Sequence, residues 1–129
     1  MISVICPPRG TDQQGSGHYG ASRGQRRHNG VDFACYPDSI VLSNVNGIVT
    51  KLGYPYASDL SYRYVQITCI ETGLSHRYFY VEPAVNKGDH ISIGDAIGAS
   101  QELHYAGIVQ HVHYEIKDSE GNYIDPNSI

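Results

Sequence analysis

From His111 to Ile116 the chain reads His-Val-His-Tyr-Glu-Ile, and only an extended strand sorts such a two-residue alternation into two distinct faces. Val112, Tyr114 and Ile116 make an apolar face that suits a core. His111, His113 and Glu115 make the other, with the two imidazoles about 7 Å apart along the strand. A core gains nothing from that pair, whereas a metal site does.

The rest of the chain has the same character. No long stretch repeats with a 3.6-residue period, while short runs rich in β-branched and aromatic residues are frequent and separated by turn residues. "VDFAC" (Val31 to Cys35) stops at "YPDS"; "IVL" and "GIVTKLGY" flank "SNVNG"; "YRYVQITCI" and "LSHRYFYV" flank "ETG" with hairpin spacing. "GDHISIGDAIG" (Gly88 to Gly98) holds two copies of Gly-Asp-x-Ile, which predicts short strands between tight turns. "ISVIC" opens the chain, a glycine-rich loop follows from Gly10 to Gly24, and the last long strand is expected over Gly107 to Lys117 before "DSEGN" turns into "YIDP". The expectation is an all-β fold, a compact antiparallel sheet or sandwich, with residues 1–129 forming one domain.

Composition narrows the function. A formal charge of −4 argues against nucleic acid as a partner, since such a chain needs a net basic face. The basic cluster Arg23 to His28 reads as a solvated loop. No segment approaches the ~20 apolar residues that span a bilayer, and the N-terminus lacks the features of a secretory signal. The protein is therefore expected to be made in the cytoplasm. Three cysteines, Cys6, Cys35 and Cys69, are too few and too scattered for a disulfide scaffold, although one bridge is open to them. Cys35 falls on the face opposite Asp32 by alternation and reads as a small buried hydrophobe.

Of seven histidines, a second group stands out in "RRHNGVDFAC", where His28 and Asp32 bracket Asn29, Gly30 and Val31. Imidazole nitrogen and carboxylate oxygen are zinc ligands, and Gly30 gives the backbone room to bend so that both converge. A third ligand from the His111/His113 pair would complete a two-histidine, one-aspartate set with one position left for water, as in catalytic rather than structural zinc sites.

Taken together, "GxYGAxRGxRxHNGVDF", a β-rich middle, "GDxIxxGDxIG", "HVHYEI" and a terminal "DP" resemble the lysostaphin-type (LytM-like) zinc endopeptidases over nearly the whole chain, from about Gly15 to Pro126. That resemblance implies a β-sheet enzyme that hydrolyses peptide bonds of bacterial peptidoglycan, in the stem or the cross-bridge. It places one zinc ion on His28, Asp32 and His113, with His111 as general base. Glu115 shares the strand face and is expected to support the site from behind or to face solvent. The substrate would lie extended in a groove lined by tyrosines such as Tyr19, Tyr56 and Tyr105. A monomeric, stand-alone domain of this kind suits a phage-encoded endolysin or a virion-borne wall-degrading enzyme.

One position departs from the family pattern. The family carries a further catalytic histidine in a strand reading roughly Tyr-x-His-Leu. Here "HRYFYVEP" puts Tyr78 in the place of the tyrosine and Tyr80 in that of the histidine. His76 falls on the same face of that strand but roughly 13 Å away. The leukocyte cell-derived chemotaxins, which the chain also resembles, share the fold and the zinc ligands and are regarded as non-enzymatic. A silent binding module with a zinc clip is therefore the alternative to an enzyme, and a metal-free β domain with incidental histidines is a third reading. A phenol can still donate a hydrogen bond to a developing oxyanion, and a silent relative would have no chemical need of His111.

Overall fold

A computed structural model describes residues 30–104, 108 and 110–126, together with the backbone of 11–12, 15–16, 22–23 and 26–27. The described residues contain strands and no helix longer than a turn. Four two-residue strands come first: β1 (Thr11–Asp12), β2 (Gly15–Ser16), β3 (Ser22–Arg23) and β4 (Arg26–Arg27), paired β1 with β2 and β3 with β4. They fall in and just beyond the glycine-rich stretch expected to be a plain loop. Then follow β5 (Val31–Ala34), β6 (Ile40–Leu42), β7 (Gly47–Gly53), β8 (Tyr64–Cys69) and β9 (Ser75–Phe79). The chain ends through β10 (Val81–Pro83), β11 (His90–Ile91), β12 (Ala96–Ser100), β13 (His111–Lys117) and β14 (Tyr123–Ile124).

Two antiparallel sheets carry the structure. The larger has seven strands in the order β11-β7-β8-β9-β13-β14, with β5 also paired to β13; the smaller has three, β10-β12-β6. The "ETG" hairpin forms as expected, Tyr64 facing Phe79 and Thr68 facing Ser75 across β8 and β9. "IVL" and "GIVTKLG" part company into different sheets. Each Gly-Asp repeat marks a turn. Gly88 and Gly94 take φ of 95° and 92°, a region open to glycine. Asp89 and Asp95 then accept the backbone N–H of Asn86 and Ser92, each at 2.8 Å.

One apolar cluster joins the two sheets: Val49, Val65, Ile67, Tyr78, Val112, Tyr114 and Ile116 from the larger meet Val41, Val81 and Ile97 from the smaller. The apolar face of β13 is wholly inside, as its alternation requires, with Val112, Tyr114 and Ile116 all 0% exposed. The buried tyrosines need partners for their hydroxyls. Tyr78 donates to the side-chain carbonyl of Asn44, and the Tyr114 hydroxyl lies 2.6 Å from His76 Nδ1. His76 is thus a core residue, on the side of the sheet away from His113.

That burial gives His76 a pH signature. Desolvation lowers its pKa from 6.5 to about 4. Above pH 6.5 the ring is neutral both folded and unfolded, so its full contribution to stability is present. As pH falls from 6.5 towards 4, the unfolded chain takes a proton that the folded one refuses, and about 3 kcal/mol is lost. Chemical denaturation of the parent and of His76→Gln, compared across that window, is expected to show the flatter profile in the variant.

Candidate functional site

Strand pairing, not proximity in sequence, builds the site. β5 runs antiparallel to β13 with Asp32 opposite His113 and Ala34 opposite His111. On the other flank, β9 places Phe79 opposite His113 and Arg77 opposite Glu115. Residues directly opposite share a face, so Asp32, His111, His113 and Glu115 converge on the side of β13 away from the core.

The Asp32 carboxylate lies between the two imidazoles. Its Oδ1 is 2.8 Å from His113 Nδ1 and its Oδ2 is 3.5 Å from His111 Nε2. Asp32 is 2% exposed and His111 4% exposed. The far nitrogen of His113, Nε2, lies 2.9 Å from Glu115 Oε1. Burial opposes a charge on His113, but hydrogen bonds to Asp32 and Glu115 and the two nearby carboxylates outweigh it and hold the pKa up at about 9. Phe79 closes on the His113 ring edge-on at 5.0 Å between centroids.

Gly30 is required here by space. A Cβ at Gly30 would come within 2.2 Å of the Tyr114 carbonyl oxygen and 2.9 Å of His113 Cε1. The sequence had pointed to this glycine as a flexible bend; its role is close approach to the β13 backbone and the His113 ring.

Tyr80 forms the wall beside His111, ring centroids 5.5 Å apart and edge-to-face. It takes φ of 66°, a left-handed conformation uncommon for a bulky residue, and it separates β9 from β10 where the chain crosses between sheets. The two-residue alternation of β9 ends there. His76 and Tyr78 face the core, and Tyr80 faces the histidines, which corrects the expectation that His76 and Tyr80 share a face. The Tyr80 hydroxyl is 2.6 Å from that of Tyr56, and Tyr62 packs against both rings at 5.6 and 6.0 Å.

Of the residues singled out by sequence, Asp32, His111, His113, Tyr80 and Tyr56 come together. His28, Tyr19 and Tyr105 lie outside the described residues. Among the described residues no group of three His, Cys, Asp or Glu side chains is arranged to hold a metal ion; His28 is not among them. The two nominated donors that are described fit zinc by type, an imidazole nitrogen beside a carboxylate oxygen. Cys35, half-buried, packs against the core cluster, and Cys69 is a free thiol. Glu115 is 4% exposed, so it does not face solvent. Sequence reasoning missed Phe79, Arg77 and Tyr62, whose signal lies in the strand register and the loop path.

A β-sheet domain with a histidine pair and a carboxylate on paired strands defines a class, and comparison with known proteins names it. The family model for Peptidase family M23 matches residues 26–126, and the chain belongs to that family. Leukocyte cell-derived chemotaxin-2 of Mus musculus is 34% identical over 113 residues, 86% of this chain and 74% of that protein. Among solved structures, a mutant catalytic domain of the prophage-encoded M23 protein EnpA from Enterococcus faecalis aligns with a TM-score of 0.69 at 20% identity, covering 95% of each chain. The catalytic domain of the antimicrobial peptidase lysostaphin from Staphylococcus simulans gives 0.70 at 18% identity, covering 98% of this chain and 90% of its own. The fold is that of the lysostaphin-type peptidases. No helix among the described residues is long and apolar enough to cross a membrane.

Proposed function

We propose that this chain is a zinc-dependent endopeptidase acting on peptide bonds of bacterial peptidoglycan, in the stem or the cross-bridge. The observation that carries the reading is the convergence of His111 and His113 on the buried carboxylate of Asp32. Asp32, His113 and His28 would hold the ion. Bound zinc supplies Lewis-acid chemistry, polarising a carbonyl and making a water nucleophile available near neutral pH.

The chain's own groups do the rest. His111, held beside Asp32 Oδ2, takes the proton of the attacking water and returns it to the leaving amine. Tyr80 donates its phenolic hydrogen to the oxyanion; if Tyr56 donates in the bond between the two hydroxyls, that hydrogen remains for the purpose. Tyr56, about a third exposed, flanks the path of an extended peptide, and on this reading Tyr19 and Tyr105 line it further along. The place of action is the cell wall.

A second reading is favoured by Tyr80 and by the chemotaxin relative: the same fold as a silent zinc-bearing binding module. Digestion of purified peptidoglycan separates the two. The enzyme reading expects solubilisation that a chelator stops and added zinc restores; the module expects none in any condition. Tyr80→His is expected to raise the rate by up to about 100-fold, because an imidazolium adds charge to the oxyanion donor and histidine tolerates the left-handed backbone better than tyrosine. No solubilisation by either the parent or this variant would remove the enzyme reading.

A further inference from the structure

Glu115 has no part in the chemistry above, yet it is a carboxylate buried against a nominated ligand. An imidazole presents its two nitrogens in diverging directions. At His113 the one beside Asp32 is Nδ1, at 2.8 Å, and the one beside Glu115 is Nε2, at 2.9 Å. Glu115 therefore approaches the ring from the side away from Asp32 and cannot share an ion with Asp32 through Nδ1.

What holds Glu115 is a row of cross-strand neighbours. Its second oxygen, Oε2, forms an ion pair with an Arg77 guanidinium nitrogen at 3.6 Å. Arg77 lies opposite Glu115 in β9 and opposite Gln66 in β8. Its Nε donates to Gln66 Oε1 at 2.7 Å, and Gln66 Nε2 donates to Thr50 Oγ1 of β7 at 2.9 Å. The guanidinium also lies over the Tyr64 ring, 5.4 Å from its centre. Arg77 is thereby held through Nε and one terminal nitrogen, and a chain of contacts across four strands of one sheet ends at a single carboxylate.

We infer that Glu115, held by Arg77, is a positioning residue for His113: it accepts the Nε2 proton, fixes the ring and its tautomer, and presents Nδ1 beside Asp32 as the metal-binding atom. The inference rests on the zinc reading proposed above. A carboxylate behind a ligating histidine raises the basicity of the ligand and fixes its orientation, and losing such a partner costs about 10–100-fold in metal affinity.

The test is the zinc dissociation constant, measured by chelator competition on the parent, Glu115→Ala, Glu115→Gln and Arg77→Met, with far-UV circular dichroism of the metal-free proteins as the folding control. Glu115→Ala is expected to bind zinc about 10–100-fold more weakly while remaining folded. Glu115→Gln keeps a carbonyl that can accept the Nε2 proton and is expected to recover part of the loss; Arg77→Met is expected to fall between Glu115→Ala and the parent. Nitrogen NMR of the zinc-loaded parent is expected to place the His113 proton on Nε2. If Glu115→Ala does not fold, Glu115→Gln, Arg77→Met and the tautomer carry the test. Parent-like zinc affinity in the folded variants, or a His113 proton on Nδ1, overturns the positioning role alone. A parent that binds no zinc overturns the zinc reading as well.

Discussion

Replacing His111 with alanine is expected to leave zinc bound and to slow peptidoglycan hydrolysis by about 10²–10⁴-fold, the usual worth of a positioned acid–base group. Two distances bear on the roles proposed for His111 and His113. His113 Nδ1 lies 2.8 Å from Asp32 Oδ1, whereas His111 Nε2 lies 3.5 Å from the other oxygen of the same carboxylate. On the proposed roles, Asp32 thus has one oxygen towards the ligand and one towards the base, and deleting the base leaves the pairing of Asp32 with His113 intact. The checks are elemental analysis for bound zinc and the rate of peptidoglycan solubilisation on the same preparation. Full activity in His111→Ala would sink the assignment of roles; loss of zinc together with activity would move His111 into the ligand set.

Gly30→Ala is expected to be equally damaging by a different route. The added methyl would sit 2.2 Å from a backbone carbonyl oxygen, that of Tyr114, and a main-chain atom cannot swing aside as a side-chain tip can. Either β5 or β13 must shift. Both nominated ligands that the structure describes ride on those two strands, so the shift separates Asp32 from His113. Overpacking of this kind costs about 1–3 kcal/mol, and here it acts on the strand pairing that makes the site. The expected result is a lowered melting temperature and loss of zinc and hydrolysis together. A variant with parent-like melting and zinc content would show that the β5–β13 pairing has slack which the packing around Gly30 does not reveal.

Much of this was legible in the chain. Period-two patterning in 111–116 announces a strand with one buried face whatever its neighbours are, and the hairpin spacing around "ETG" and the paired Gly-Asp turns are equally local signals. The pairing of His113 with Asp32 follows from the family resemblance alone, because no local rule states which distant strand lies beside which. Three things resisted. The left-handed backbone at Tyr80 has no sequence marker, since tyrosine is an unusual residue to find there, and alternation carried past it gave the wrong face. Alternation leaves Glu115 between a supporting and a solvent-facing role, which only the register with Arg77 decides. Gly30 reads from the sequence as a bend, whereas the demand comes from an atom on another strand.

The strand bearing both histidines is flanked by β5 and β9 and rooted through Val112, Tyr114 and Ile116 in the apolar core that joins the two sheets. If zinc binds as proposed, it joins strands that already share this core. On that reading, withdrawal of the ion would leave a carboxylate–imidazole pair that a proton can bridge, and the domain would be expected to stay folded when empty. Loading would then be an exchange of proton for metal on a finished scaffold, unlike the small zinc modules whose folding is the binding event.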